Sequence, residues 1–182
     1  IVADYCEHVV DIIEQGYDIA IRIGELEDSR LIATKLCDHH RMLCASPAYI
    51  DKFGKPQAPR DLTNHNCLRF SGLASFPEWR LHRADRLETV MTRGSLTSND
   101  SETLLSAALS GLGILGAGEW LMSRQIASGD LVRVLPEWRL DPLGGVYLVR
   151  PSSKFPSATV LAFKTWIESK FSSAPPWEIA HR

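Results

Sequence analysis

The first 24 residues carry a strand–helix–strand pattern, which restricts the fold more than any other feature of the chain. Residues 1–3 are typical of the end of a buried strand, and residues 7–15 place apolar side chains on one helical face. Gly16 suits a helix end, and the β-branched residues of the run 18–23 share one face of a strand. Two strands joined by one short helix predict a parallel pair with a right-handed crossover.

Strands and helices alternate along the rest of the chain. We expect an extended stretch at residues 30–45, a short helix at 47–53, a strand at 67–70, a hairpin of 79–82 with 89–92, and a short strand at 95–97. Further on we expect a helix after Asn99, a strand at 113–115, a helix at 119–127, strands at 131–135 and 146–149, and a last helix from Pro156. With a Pro-rich segment at 46–66, this order predicts an α/β fold of two lobes between which the chain crosses twice.

The helix after Asn99 has the clearest boundaries. Asn99 and Glu102 stand at capping-box spacing, and Gly111 is placed to end the helix. Residues 111–116 also match the G-x-G-x-x-G pattern of dinucleotide-binding proteins. That fingerprint needs a strand before it and a helix inside it, whereas here the first glycine ends a helix. We therefore predict a helix-to-strand turn and no nucleotide cofactor.

Charge and composition exclude two classes of function. With 45% hydrophobic residues, the composition is ordinary for a globular chain. The formal charge of −2 argues against a nucleic-acid-binding surface, because contacts with phosphates need a dense basic face. There is no apolar run of 18 residues and no basic-then-apolar leader, so we expect no membrane contact and a cytoplasmic location. The densest basic group is interspersed with acidic residues and predicts a mixed solvated surface: Arg80, His82, Arg83, Arg86 and Arg93 beside Glu78, Asp85 and Glu88.

Cysteine and histidine residues offer weak candidates for chemistry. Cys37, His39, His40 and Cys44 could hold zinc, but successive side chains of a strand point to opposite faces, so Cys37 and His40 diverge. A Cys67 nucleophile with His65 as base is disfavoured because no third group is placed to orient the pair. We expect reduced cysteines and predict no catalytic residue, no metal site and no enzymatic activity.

Binding chemistry remains, and it points to the carboxyl ends of the strands, where open α/β sheets hold ligands. Arg22 could clamp a carboxylate or form a structural ion pair with Asp18, and the sequence leaves both readings open. The helix start after Asn99 could bind an anionic oxygen or be closed by its own capping residues, and two aromatic side chains could line a cleft or belong to the core. The predicted ligand-binding set is Arg22, Ile23, Gly24, Phe70, Ser71, Trp79, Ser98, Asn99 and Asp100.

Ordered motifs along most of the chain resemble the effector-binding domain of the LysR-type transcriptional regulators. The resemblance covers roughly residues 1–171, and the motifs that carry it are residues 16–24, 45–50, Gly54, Pro56, Pro59, 61–62, His65, 67–68, 98–100, 107–108, 111–114, 128–132 and Pro156. It implies a fold like the type 2 periplasmic binding proteins, with a small-molecule effector in the cleft. It also implies DNA binding by an N-terminal winged helix-turn-helix outside this sequence, a homodimer or tetramer, and allosteric coupling of effector to DNA.

On this resemblance we expect lobe I at residues 1–46 with 143–171, lobe II at 47–142 and a flexible end at 172–182. Ile1 is not preceded by Met, so we expect a piece of a longer protein that lacks the first strand and helix of lobe I. The chain also has Gly118 where the family commonly has proline before Glu119 and Trp120, which leaves the pocket shape there open. A solute-binding protein of the same fold that serves transport is the alternative.

Overall fold

The computed structural model describes residues 1–26, 30–73, 75–152 and 155–178, and the side chains at 142 and 143 are left aside. Its strands are β1 Ala20–Gly24, β2 Leu31–Ala45, β3 Cys67–Phe70, β4 Glu78–Arg83, β5 Arg86–Met91, β6 Thr97–Ser98, β7 Ile114–Gly118, β8 Val132–Val134 and β9 Arg139–Pro151. Its α-helices are α1 Pro47–Phe53, α2 Ser101–Leu109, α3 Glu119–Ser128 and α4 Ala158–Phe171, and a 3₁₀ helix spans Pro59–Asn64.

The sheet is built around two long strands, β2 and β9, which run antiparallel side by side. The strand order is β5-β4-β9-β2-β7-β3-β6, with β1 paired to β9 and β8 paired to β2. Among the described strand pairs, two are parallel, β3 with β6 and β3 with β7. The mixed α/β class is confirmed, with a sheet that is mainly antiparallel.

The predicted parallel unit at the start of the chain is wrong. β1 pairs antiparallel with β9, from Ala20 opposite Val149 to Gly24 opposite Gly145. Residues 1–19 form bends and one turn rather than a strand and a helix, and the Ile1 and Val9 side chains are exposed. A nine-residue helix is marginal without a surface to pack on, and no strand pairs with residues 1–3 to build that surface.

The pairing pattern of β2 and β9 changes midway, where their register shifts between His39 and Arg41. On one side of this point, β9 lies between β2 and β1 and pairs with both. On the other side, β2 pairs with β7 and β8, and β9 pairs with β4 at Leu140. We call this region the crossover. It connects the two parts of the sheet through two strands, as the predicted double crossing requires.

Two buried clusters fill the larger part of the sheet. One packs Leu43 of β2 with Leu81, Leu140 and Tyr49 of α1. The other packs strand residues of the opposite face with α2 and α3, and its members are Met42, Cys44, Leu68, Leu104, Leu105, Ala108, Leu115, Ala117, Leu121, Met122 and Leu131. Alternate residues of β2 enter opposite clusters, which is the two-residue period of a strand buried on both faces.

Most other predicted elements are confirmed within a few residues. The short helix at 47–53, the hairpin of β4 and β5, and the helix at 119–128 lie where the patterns placed them. β9 is longer than the predicted 146–149 because pairing with β2 and β4 extends it through a glycine pair. The described part of the tail includes an edge-on contact of Trp177 with Phe171 at 5.7 Å, and the last four residues lie outside the described part.

The basic group of the β4–β5 hairpin forms a mixed surface, as predicted. Arg83 Nη2 lies 2.7 Å from Glu137, and Arg86 and Arg80 pair with Glu88 and Glu78 at 3.2 and 3.5 Å. No helix within the described ranges is both long and apolar enough to cross a membrane.

Candidate functional site

Arg22 lies in the middle of β1, opposite Tyr147, with a half-buried side chain. Its Nη2 donates to the carbonyl oxygen of Val10 at 2.6 Å, so it holds the N-terminal segment against the strand. A guanidinium has five N–H donors, and this bond engages one of them. The neighbouring Ile23 is 47% exposed, and Gly24 ends the strand with a φ of +121°, a conformation that favours glycine.

The predicted strand ends of the other lobe do meet. Phe70 of β3 lies opposite Ser98 of β6, and the amide of Ser71 donates to the carbonyl of Ser98 at 2.9 Å. Parallel pairing therefore brings both strand ends to the start of α2, next to Asn99 and Asp100.

The start of α2 is closed by carboxylates of the chain itself. Asp100, not Asn99, is the N-cap, and its Oδ1 accepts the Thr103 amide at 2.6 Å. The hydrogen bonds from Thr103 hold the pKa of Asp100 below its usual value. Glu7 adds a second carboxylate, which accepts the amide and the hydroxyl of Ser101, each at 3.2 Å. The predicted cap at Asn99 was thus one residue early. The backbone amides at the start of α2 bind carboxylate oxygens, those of Asp100 and Glu7.

The two predicted aromatic residues lie on opposite faces of the sheet. Trp79 is 6% exposed within the first buried cluster. Phe70 is half-buried and packs against the second cluster. They do not wall one cleft together, and Trp79 has the core position that the sequence left open.

Sequence reasoning missed the buried charge at the crossover. Arg41 is 7% exposed, and its guanidinium donates to the carbonyl oxygens of Asp141 and, at 2.9 Å, Gly116. Burial lowers the pKa of Arg41 to about 10, so it stays charged at neutral pH. The Asp141 carboxylate lies 2.7 Å from His82 Nε2. These contacts join β2, β7, β9 and β4 at the point where the two parts of the sheet meet.

His39 lies beside Arg41 and is 5% exposed. Burial first, and then the charge of Arg41, lowers the pKa of His39 to about 4, so the imidazole is neutral at pH 7. The adjacent His40 instead contacts Arg139, with its Nδ1 3.2 Å from the guanidinium. The consecutive basic residues 39–41 within β2 were the available signal, but only His39 and His40 entered the sequence prediction, as candidate zinc ligands.

The cysteine candidates have no activated thiol. Burial raises the pKa of Cys67 to about 12, and its Sγ donates to the carbonyl of Leu62 at 3.5 Å. The predicted base His65 instead lies 3.2 Å from the Tyr49 hydroxyl. Burial also raises the pKa of Cys44 to about 12. The residues that the structure describes include no group of three His, Cys, Asp or Glu residues that could hold a metal ion.

The glycine-rich motif is a helix-to-strand turn, as predicted. Gly111 has a φ of +76° directly after α2, and β7 begins at Ile114. The backbone amides of residues 111–116 therefore do not form the start of a helix, as a dinucleotide-binding motif would require.

The fold and the strand-end geometry define a regulatory domain with the periplasmic-binding-protein-like architecture. Residues 1–172 match the LysR substrate binding domain, and the chain belongs to this family. The regulatory domain of CrgA from Neisseria meningitidis superimposes with a TM-score of 0.77 at 33% identity, covering 87% of this chain and 78% of that one. The regulatory domain of AphB from Vibrio vulnificus gives a TM-score of 0.73 at 28% identity, covering 88% and 78%.

The curated relatives are transcriptional regulators, which supports a sensing rather than a transport role. The HTH-type transcriptional regulator PtxR of Pseudomonas aeruginosa is 37% identical over 153 residues, which is 84% of this chain and 49% of that protein. The HTH-type transcriptional regulator DmlR of Escherichia coli is 38% identical over 136 residues, 74% of this chain and 44% of that protein. The chain therefore spans about half the length of these relatives.

Proposed function

We propose that this effector-sensing domain binds a small organic anion between its two lobes and thereby controls DNA binding by the intact regulator. The observation that carries the proposal is the crossover: two adjacent strands, β2 and β9, connect the part of the sheet around β1 with the part around β7. A ligand that contacts both parts can favour one arrangement of the lobes over another.

The anionic class of ligand is supported from both sides of the cleft. On β1, Arg22 has guanidinium donors beyond the one that binds Val10. On the other lobe, the start of α2 accepts the carboxylate of Glu7 through Ser101. We propose that the binding set is Arg22, Ile23, Gly24, Phe70, Ser71, Ser98, Asn99 and Asp100, with Trp79 supporting the sheet beneath it from the core.

The intact protein supplies the remaining partners in this proposal. DNA contact is assigned to a helix-turn-helix segment outside residues 1–182, in line with the names of the relatives. A homodimer or tetramer would place two such segments on one DNA site, since DNA half-sites mirror protein symmetry. We propose a cytoplasmic location and no enzymatic activity, and Cys67, held as a buried thiol, gives the second point its local support.

A stability screen with small organic acids and aromatic compounds tests the proposal. A ligand at about 100 times its Kd adds roughly 2.7 kcal/mol to the free energy of unfolding. We expect a subset of carboxylic acids to raise the melting temperature of the chain, while the matching amides do not. A complete lack of stabilisation by any organic acid, at concentrations up to solubility, would contradict the sensing of an organic anion.

A further inference from the structure

The N-terminal segment, residues 7–10, contacts both sides of the cleft proposed above. On one side, the Val10 carbonyl oxygen accepts a hydrogen bond from the Arg22 guanidinium at 2.6 Å. On the other side, the Glu7 carboxylate accepts hydrogen bonds from the backbone amide and the hydroxyl of Ser101, each at 3.2 Å. The backbone from Glu7 to Val10 spans about 10 Å when fully extended. A stretch this short therefore links β1 to the start of α2.

These contacts use donors that the proposed effector would also use. Arg22 belongs to the predicted binding set, and Ser101, the first residue of α2, directly follows its last member, Asp100. The Glu7 carboxylate is held through both oxygens, one on an amide and one on a hydroxyl. A free organic acid would be held in the same way by this pair of donors. Within the chain, Glu7 therefore stands where a ligand carboxylate would bind.

The segment is anchored at one end and exposed at the other. Ile12, in the turn that follows the segment, is 1% exposed, so it holds that turn against the protein. Residues 7–9 are exposed, and the Val9 side chain is 81% exposed. A stretch with little buried surface opens at a low cost in free energy. Residues 7–10 can therefore leave the cleft while Ile12 stays in place.

The strength of the contact between Glu7 and Ser101 suits displacement by a ligand. Glu7 is exposed and Ser101 is half-buried, so water competes for both partners and weakens the two hydrogen bonds. An internal group lowers the apparent affinity of a ligand by the fraction of molecules in which it occupies the site. A weak contact leaves the site open to a ligand, whereas a strong one would close it.

We propose that residues 7–10 act as an internal strap that occupies the cleft without effector, and that a carboxylate of the effector displaces Glu7 from Ser101. The inference rests on the proposed sensing function and adds Ser101 to its binding set. In the strapped form, Glu7 and Val10 hold β1 and the start of α2 together. In the bound form, the effector makes these contacts and residues 7–10 are released.

NMR of the ¹⁵N-labelled chain, with sodium acetate as the probe, tests the strap. In Glu7→Ala, the amides of residues 7–10 are expected to gain mobility on the picosecond-to-nanosecond timescale, seen as a lower heteronuclear NOE. The affinity of acetate, followed at the Ser101 amide, is expected to rise about fivefold, the factor that corresponds to a competing contact of about 1 kcal/mol. Unchanged mobility or an unchanged acetate affinity in Glu7→Ala would overturn the strap.

A matched variant and a displacement experiment complete the test. Glu14→Ala removes the same side chain from an exposed position of the adjacent turn, and it is expected to keep both the mobility and the acetate affinity of the original chain. Saturating acetate is expected to raise the mobility of residues 7–10 in the original chain to the level of Glu7→Ala, whereas uncharged acetamide leaves it unchanged. Residues 7–10 that stay ordered while acetate occupies Ser101 would contradict displacement.

The outcomes also separate the strap from the sensing function. An acid from the stability screen that binds the original chain and Glu7→Ala with equal affinity overturns the strap and leaves the sensing function intact. Release of residues 7–10 by acetate, without any stabilising acid in the screen, supports the strap and counts against the sensing function.

Discussion

At the scale of residues, the sequence predicted the type of residue that caps a helix but not which position would do so, and it did not predict which charged side chain would be buried. Asn99 and Asp100 are both good N-caps, and in the fold it is Asp100, two residues after the end of β6, that caps α2. The burial of Arg41 depends on β7, whose Gly116 and Gly118 lie opposite Leu43 and Arg41. Local spacing carries no information about that neighbour.

His39 gives a prediction about pH. Because its pKa is about 4 in the folded chain and near 6.5 when unfolded, the unfolded state binds more protons between these values. The free energy of unfolding is therefore expected to fall as the pH is lowered from about 6.5 toward 4.

Denaturant unfolding of the original chain and His39→Leu, at pH 8 and at pH 5, measures this effect. At pH 8 both states of His39 are neutral, so the difference there is the baseline. The original chain is expected to lose stability relative to His39→Leu on going to pH 5, and a constant difference would show that His39 is not buried as a neutral ring.

At the scale of elements, local patterns predicted the helices that have a surface to pack on. The short α1, with its Ser46 cap, and α3, which ends at Gly129 with a φ of +83°, were predicted closely from their boundary residues. The helix at residues 7–15 and its parallel strands were not, because strand partners are set by distant residues. Only the fold as a whole makes β9 the neighbour of β1.

The last helix carries a cap whose strength is measurable. Pro156 was predicted to stand in the first turn of α4, but the helix begins two residues later, and the Ser157 Oγ accepts the Val160 amide at 3.2 Å. Ser157→Ala is expected to lower the free energy of unfolding by about 1 kcal/mol.

Thr165→Ala, at an exposed position inside the same helix, is the matched control and is expected to change stability by less than about 0.5 kcal/mol. Urea unfolding of both variants provides the comparison. Equal effects of the two substitutions would mean that the cap bond makes no net contribution.

At the scale of the whole molecule, family and architecture were predictable because motifs in a fixed order run through nearly the entire chain, and residues 1–172 match the family. The arrangement of the proposed binding residues was harder to predict from the sequence than the fold. These residues come from β1, β3, β6 and the start of α2, and their relative positions follow from long-range pairing. The two parts of the sheet share β2 and β9, so a ligand between them is placed to act on both.

The most direct test of the central claim is the affinity of an acid identified by the stability screen for the original chain and for Arg22→Ala, measured by titration calorimetry. Loss of a hydrogen-bonded charge is expected to weaken binding by about 1.5 to 3 kcal/mol, roughly 10- to 100-fold in Kd. Arg80→Ala, on the exposed hairpin, is the control and is expected to keep the original affinity. An unchanged affinity of Arg22→Ala would contradict the placement of an anionic effector beside β1.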